Sequence, residues 1–416
     1  MKFYLEVYGC TANKSDASLI KGILKENNHK SVKKIDEADV IIILTCTVIN
    51  TTEQRMLSRL RLFKKTNKKV IVSGCMASVQ TNLIKTVLPD AKIIPAQYSY
   101  QILDVINGKK IDYIYKNKTS FSKHYDDIIA PISISEGCEF SCTYCITSIA
   151  RGKLVSYPIN EITKNIYSAI EQNCKEIQLT AQDTSSYGFD IGLNLGDLLK
   201  NVNKINGEFR IRVGMMNPYT CLKNIDSILY GFKDKKIYKF LHIPVQSGSN
   251  EILEKMNRKY NVDDFLNIVN KFRKYYQDIT ISTDIIVGFP TENNFQFQNT
   301  IDLLNKVKPD ITNITRYSAR PFTKAKTMKG RVKTELVKAR SKILTELCKD
   351  ISKQKNKKYI GKKFIALITE EGKNNTFMGR IENYKPIIIK DKVELGKFIP
   401  VKVEEAASAF LVGSII

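Results

Sequence analysis

The sequence predicts an α/β protein of three parts: a small parallel α/β sheet domain, a partial barrel of six βα units, and a small antiparallel β-barrel. Three observations lead there. Short β-rich runs alternate with helical stretches over the first hundred or so residues. The alternation resumes with six more strand candidates from about Ile128, and the end of the chain carries only short, closely spaced strands.

In the first part, "KFYLEV", "DVIIIL" and "KKVIVS" read as strands, each followed by an amphipathic stretch: "SDASLIKGILKEN", "TTEQRMLSRLRLFKKT" and "VQTNLIKTVL". This is the pattern of a parallel sheet with crossover helices, expected over residues 1–110. Polar "YKNKTSFSKHYDD" (115–127) reads as a linker. Six strands follow in 125–353: "APISIS", "EIQLTAQD", "FRIRVGMMNP", "KFLHIPVQS", "ITISTDIIVGFP" and "ITNITRYS". Six units fall short of a closed eight-stranded barrel and suit one open on a side. After the basic helix "TELVKARSKILTELCKDISKQKNKK", residues 354–416 give "KKFIALITEE", "FMGRIENY", "KPIIIK" and "GKFIPVKVEEA", a small β-barrel.

"MKFYLEVYGC" lacks the charged start and apolar core of a signal peptide, and runs such as "DVIIILTC" are too short to cross a bilayer. A cytoplasmic location is expected, where the nine cysteines stay reduced and serve as metal ligands or catalytic groups. The net charge is +24, and half of it lies in Pro321–Lys363, with 15 Lys or Arg against three acids. Such a concentration points to a phosphate-contacting surface.

Six of the cysteines form two sets of three. Cys138, Cys142 and Cys145, in "SEGCEFSCTYC", follow strand "APISIS" directly, at the strand end where α/β barrels place their chemistry. A structural zinc would want four ligands, and no fourth Cys or His lies nearby. Three thiolates on a tight loop suit a 4Fe–4S cluster with one iron left open. An amine and a carboxylate together would fill that corner, and S-adenosylmethionine has both. Cys10, Cys46 and Cys75 each close one of the first three strands. Parallel strands end at one edge, so these thiols are expected to converge into a second three-cysteine cluster, with Gly9 and Gly74 giving the tight turns beside it.

"CEFSCTYC", ahead of a six-unit βα series, resembles the signature of the radical S-adenosylmethionine superfamily, including the aromatic Tyr144 before the last cysteine. "YGCTANKSD", "LTCTV" and "VSGCMA" resemble the N-terminal domain of the methylthiotransferases, which combine it with a radical core and a C-terminal RNA-binding barrel called TRAM. "ARGKLVSYP", "LTAQDTSSYG", "HIPVQSGS" and "TDIIVGFPTE" resemble the subgroup acting on N6-threonylcarbamoyladenosine in tRNA. Two departures stand out: Leu44 where Asn often precedes Thr-Cys, and Thr291 where "GFPGE" would have Gly. The resemblance implies two 4Fe–4S clusters on the six cysteines, S-adenosylmethionine as both methyl and radical source, tRNA as substrate, an unidentified electron donor and a monomer. The target is then C2 of the adenine, whose C–H is not acidic and gives side-chain acid–base catalysis nothing to act on.

Gln182 and Asp183 at the second barrel strand, Gln246 and Ser247 at the fourth, and Asp284 and Glu292 around the fifth are the candidate cofactor contacts, with loop capping as the competing reading. Arg151 is the candidate cation for a carboxylate of cofactor or substrate. His29, His124 and His242 show no metal spacing, and Cys174, Cys221 and Cys348 read as ordinary buried thiols. Three alternatives remain open: a methylthiotransferase acting on isopentenyladenosine in tRNA, one acting on an aspartate of a ribosomal protein, and a non-catalytic iron–sulfur RNA-binding module. A basic surface favours an RNA backbone over a basic protein substrate.

Overall fold

Strand Val40–Thr45 is buried along its whole length, and the first part of the molecule is built around it. In the computed structural model, which describes Met1–Ile416, it is β3 of a five-stranded parallel sheet. The sheet comprises β1 (Lys2–Val7), β2 (Lys30–Ser31), β3, β4 (Lys69–Gly74) and β5 (Lys92–Ile93), in the order β2-β1-β3-β4-β5. The continuous apolar run of β3 follows from burial on both faces. Ile42 and Leu44 meet Leu19, Ile20 and Leu24 of the helix Thr11–Glu26. Ile41 and Ile43 meet Met56, Leu60 and Phe63 of the helix Asn50–Lys64.

The six barrel strands appear as expected but shorter: β6 (Ile129–Ser133), β9 (Glu176–Thr180), β10 (Arg210–Val213), β11 (Phe240–His242), β12 (Thr280–Val287) and β13 (Ile311–Arg316). They form two three-stranded sheets, β10-β9-β6 and β11-β12-β13. Between β6 and β9 lies a pair the sequence did not reveal, β7 (Ser135–Glu136) and β8 (Val155–Ser156), antiparallel and two residues long. The last part is a closed barrel of order β14-β15-β16-β18-β17, made of β14 (Lys363–Glu371), β15 (Phe377–Arg380), β16 (Pro386–Ile389), β17 (Phe398–Ala406) and β18 (Leu411–Ile415). β18 was missed in the sequence, yet its parallel pairing with β16 and antiparallel pairing with β17 close the barrel.

The chain gathers into two compact units: Met1–Gln172 with Leu179–Gln182 and Ser318–Lys326, and Asn173–Gln178 with Asp183–Tyr317 and Thr327–Ile416. Residues 115–127 are not the linker their polarity implied. Within the first unit Lys118, Thr119 and Lys123 are buried, and Phe121 stacks on Tyr100 with ring centroids 5.1 Å apart. Lys123 donates to Asn165 at 2.8 Å, and burial lowers its ammonium pKa to about 7. Buried cations with internal acceptors look like solvated surface in the sequence.

Within the second unit the small barrel is joined to barrel strands by polar and aromatic contacts. Asp310, just before β13, accepts from Lys385 (2.9 Å), from Lys355 of the helix Thr334–Lys357 (2.6 Å) and from the Ile281 N–H (3.0 Å). Tyr384 holds its hydroxyl 3.0 Å from Glu176, and its ring centroid lies 4.8 Å from Tyr238 and 5.0 Å from Phe240. Burial works against the charge of Asp310, but Lys385 and Lys355 outweigh it and hold the carboxyl below its usual range. This contribution is therefore complete above the unfolded carboxylate's pKa of about 3.9 and is lost as pH falls through the lower folded value. Asp310→Asn strands the buried Lys385 ammonium, at a cost of about 3–5 kcal/mol. Urea denaturation at neutral pH checks this, and the gap between variant and parent should narrow in acid.

Candidate metal and cofactor site

Cys138, Cys142 and Cys145 sit on a loop clamped at its base. β7 and β8 pair Ser135 with Ser156 and Glu136 with Val155, and the Cys138 N–H donates to the Gly152 carbonyl at 3.0 Å. Gly137 allows the two chains to come this close: its φ is +78°, and a Cβ there would lie 1.9 Å from the Lys153 oxygen. The Gly137 N–H donates to the side-chain oxygen of Gln182 at 2.7 Å, so Gln182 fixes the start of the cysteine loop. All three thiols are half-buried.

The second set gathers from three strand ends. Cys10 directly precedes the helix Thr11–Glu26, Cys46 directly follows β3, and Cys75 directly follows β4. The positive φ of Gly74 (+88°) makes the last turn, and a Cβ there would lie 2.4 Å from the Thr45 oxygen. A Cβ on Gly9 would lie 3.4 Å from the Cys46 sulfur, which sets the Cys10 turn against Cys46. Cys10 is exposed, Cys46 half-buried and Cys75 buried. The thiols feel one another: burial, then Cys10, raises Cys46, while burial, Cys10 and Cys46 push Cys75 up to about 11 against the opposing Arg151 guanidinium.

The donor set fits a cluster at each place. Each set is three thiols, soft ligands in the number that leaves one iron open. No three His, Cys, Asp or Glu side chains stand close enough to ligate a single ion, and a cubane spreads its thiolates more widely than one ion's coordination shell. Buried thiols are costly as bare anions, so a cationic iron–sulfur core is the natural counterpart of Cys75.

Arg151 is not placed as expected. It is 4% exposed, and its two terminal nitrogens are engaged from within: 2.8 Å from Asp16, 2.8 Å from Glu136 and 2.7 Å from the Asn13 side-chain oxygen. Its charge also acts on the Cys75 thiol, opposing the upward push of burial. Its fork belongs to the protein interior, which corrects its assignment to a substrate carboxylate. Lys118 completes the group, 2.9 Å from both Asp16 and Glu136. Two cations and two carboxylates thus lie buried together. They tie the helix after Cys10 to Glu136, two residues before Cys138. A second network backs Cys46: buried Arg320 donates to Glu53 and Thr47, and Gln80 donates to Glu53 at 2.7 Å.

The remaining candidates divide. Asp183 is buried and receives Ser185 N–H (3.0 Å), Ser185 Oγ (2.7 Å), Asn217 N–H (3.0 Å) and Thr220 Oγ1 (2.7 Å); it caps its own loop, and burial still pushes its carboxyl up. Glu292 receives the Gly288 N–H (2.9 Å) and the buried Arg340 (2.8 Å). Both were expected at the cofactor, and both are occupied by internal donors. Asp284 takes His242 (2.9 Å) and Asn313 (2.7 Å). Burial opposes its charge, but these donors hold it below the usual carboxylate range. Gln246, in the left-handed region at φ +71°, exchanges backbone hydrogen bonds with Asp284 and Ile286. Sequence reasoning missed Asp16, Lys118, Glu136, Glu53 and Arg320. Only Glu136 carried a signal, its place beside the cysteine loop.

Comparison with known proteins agrees with these parts. Residues 2–95 match the model of Uncharacterized protein family UPF0004, residues 132–304 that of the Radical SAM superfamily, and residues 357–416 that of the TRAM domain. A probable threonylcarbamoyladenosine tRNA methylthiotransferase of Methanocaldococcus jannaschii is 41% identical, covering 100% of this chain and 97% of its own. One from Archaeoglobus fulgidus is 38% identical over 100% and 99%. The radical S-adenosylmethionine methyltransferase TsrM of Kitasatospora setae shares the fold, with a TM-score of 0.59 at 11% identity over 78% of this chain and 74% of its own.

Arg151→Gln leaves Asp16 and Glu136 sharing Lys118 alone. The expected cost is about 3–5 kcal/mol, as for a buried pair that loses one partner. Arg151→Lys, which keeps the charge but not the fork, should fall in between. Chemical denaturation and iron content after anaerobic reconstitution check both.

Proposed function

Because the chain belongs to the threonylcarbamoyladenosine tRNA methylthiotransferase family, we propose that it replaces the hydrogen at C2 of N6-threonylcarbamoyladenosine, beside the tRNA anticodon, with a methylthio group. S-adenosylmethionine and a 4Fe–4S cluster go with its radical family, and tRNA with its TRAM domain and relatives. The observation that carries the finer reading is the second set of thiols. One cluster accounts for radical generation, and Cys10, Cys46 and Cys75 provide for a second, where sulfur can be mounted.

Cys138, Cys142 and Cys145 would hold the cluster that works with S-adenosylmethionine, and together these supply a carbon-centred radical able to attack an unactivated C–H. The chain's own contribution is position and dryness. The β7–β8 clamp and Gln182 fix the first cysteine loop. The Asp16–Lys118–Glu136–Arg151 group fixes it to the helix that starts at Cys10. Gln246 and the half-buried Asp284 are the polar groups assigned to contact S-adenosylmethionine; Asp183 and Glu292 are taken up by internal donors. The working division is 1–110 for the sulfur-bearing domain, 125–353 for the radical core and 354–416 for the RNA-binding barrel. An external electron donor is required, and the enzyme is taken to act as a cytoplasmic monomer; no helix is long and apolar enough to cross a membrane.

The anaerobically reconstituted protein should hold about eight irons. Replacing Cys10, Cys46 and Cys75 together with Ala should remove about half of them, leave cleavage of S-adenosylmethionine and abolish methylthio transfer. Mass spectrometry of nucleosides from threonylcarbamoylated and isopentenylated transcripts tests the substrate; efficient product on the isopentenylated one overturns the assignment.

A further inference from the structure

Ser318–Lys326 belongs to the first unit and is fastened near both cysteine sets. At one end buried Arg320 donates to Thr47, the residue after Cys46, and to Glu53. At the other the Ala325 N–H donates 2.8 Å to the carbonyl of Thr143, which lies between Cys142 and Cys145. Thr323 and Ala325 are buried, and Thr323 Oγ1 returns to the Arg320 carbonyl at 2.7 Å. The segment is therefore a strap held at both ends.

Phe322 stands out on this strap. The residue is 70% exposed, and its backbone lies in the left-handed region at φ +64°, where a bulky L-residue is strained. Glycine would make the same turn without strain and without wetting a phenyl ring. Folding therefore gives no reason for the aromatic. Exposed Lys324 and Lys326 follow it, and exposed Val48 and Ile49 follow Thr47. An aromatic ring among cations, in a chain of net charge +24, is the chemistry that receives unpaired bases: the ring stacks on a base face and the ammonium groups meet the phosphates.

We propose that Phe322 is a stacking platform for an unpaired base of the RNA loop, with Lys324 and Lys326 meeting the adjacent phosphates. The strap's two anchorages place that platform between the residue after Cys46 and the Cys142–Cys145 loop. The inference rests on the tRNA reading above and names the residue that orients the loop.

The test uses the full-length, anaerobically reconstituted protein and an anticodon stem–loop carrying 2-aminopurine at single positions in the loop. Phe322→Gly should melt no lower than the parent and keep its iron content and RNA-independent cleavage of S-adenosylmethionine. It should bind the stem–loop about tenfold more weakly, the loss of one base–aromatic stack, and lose the fluorescence quenching that stacking produces. Phe322→Trp should restore both. A Gly variant with parental affinity and quenching overturns the proposal, as does one whose only change is lost self-association. Failure of the parent protein to bind any stem–loop overturns the tRNA reading itself and the inference with it.

Discussion

The buried group of Asp16, Lys118, Glu136 and Arg151 is the constraint on which the first unit depends. Each side chain is nearly inaccessible to water, and the four charges sum to zero. Burying such ions is costly one by one and tolerable only in mutual pairing, so the group has one low-energy arrangement. Its members come from four places in the chain: the helix after Cys10, residues 115–127, the start of the Cys138 loop and the short helix Thr147–Arg151. Fixing their geometry fixes both cysteine sets at once. Arg151 extends the arrangement by donating to Asn13, whose amide in turn donates to the carbonyls of Tyr8 and Thr45 beside Cys10 and Cys46.

The second unit uses the same device on a different problem. Asp310 gathers Lys355 and Lys385, and Lys385 also donates to Asn356, whose amide donates to the Ala407 and Ser408 carbonyls. The small C-terminal barrel is thereby bonded to the strand and helix that precede it. Tyr384 adds an aromatic contact, its ring close to Tyr238 and Phe240. A domain attached only by its linker could be removed without harm to what comes before it. This one cannot, because its loss would leave Asp310 without Lys385 and expose the faces of two core aromatics.

Much of this was legible in the sequence because it repeats locally. Cysteines closing successive β-rich runs say where thiols converge, since parallel strands share an edge. Six strand candidates say how far the barrel goes. What was not legible depended on partners distant in the chain. Lys118 lies in a polar stretch and reads as solvent-exposed until Asp16 and Glu136 are seen beside it. Arg151, close to the cysteine loop, reads as a free cation until the same carboxylates claim it. Asp183 sits at a strand end where a cofactor contact is natural, yet two donors from Ser185 in its own loop and two from Asn217 and Thr220 beyond β10 take its oxygens. β18 is short and its apolar run is broken by Gly413 and Ser414, and it is a strand because β16 and β17 leave it a place. Thr291 shows the reverse: a departure readable from its neighbours, held in the structure at φ +72° where a glycine would be unstrained.

The graded exposure of the second cysteine set has a chemical side. Cys75 lies in the interior, Cys46 at half depth and Cys10 at the surface. A diffusing oxidant therefore meets Cys10 first, and its sulfur is the one placed to start down the path to sulfenic acid. Chemical attack on this strand edge thus begins at one sulfur and must work inward to reach the other two.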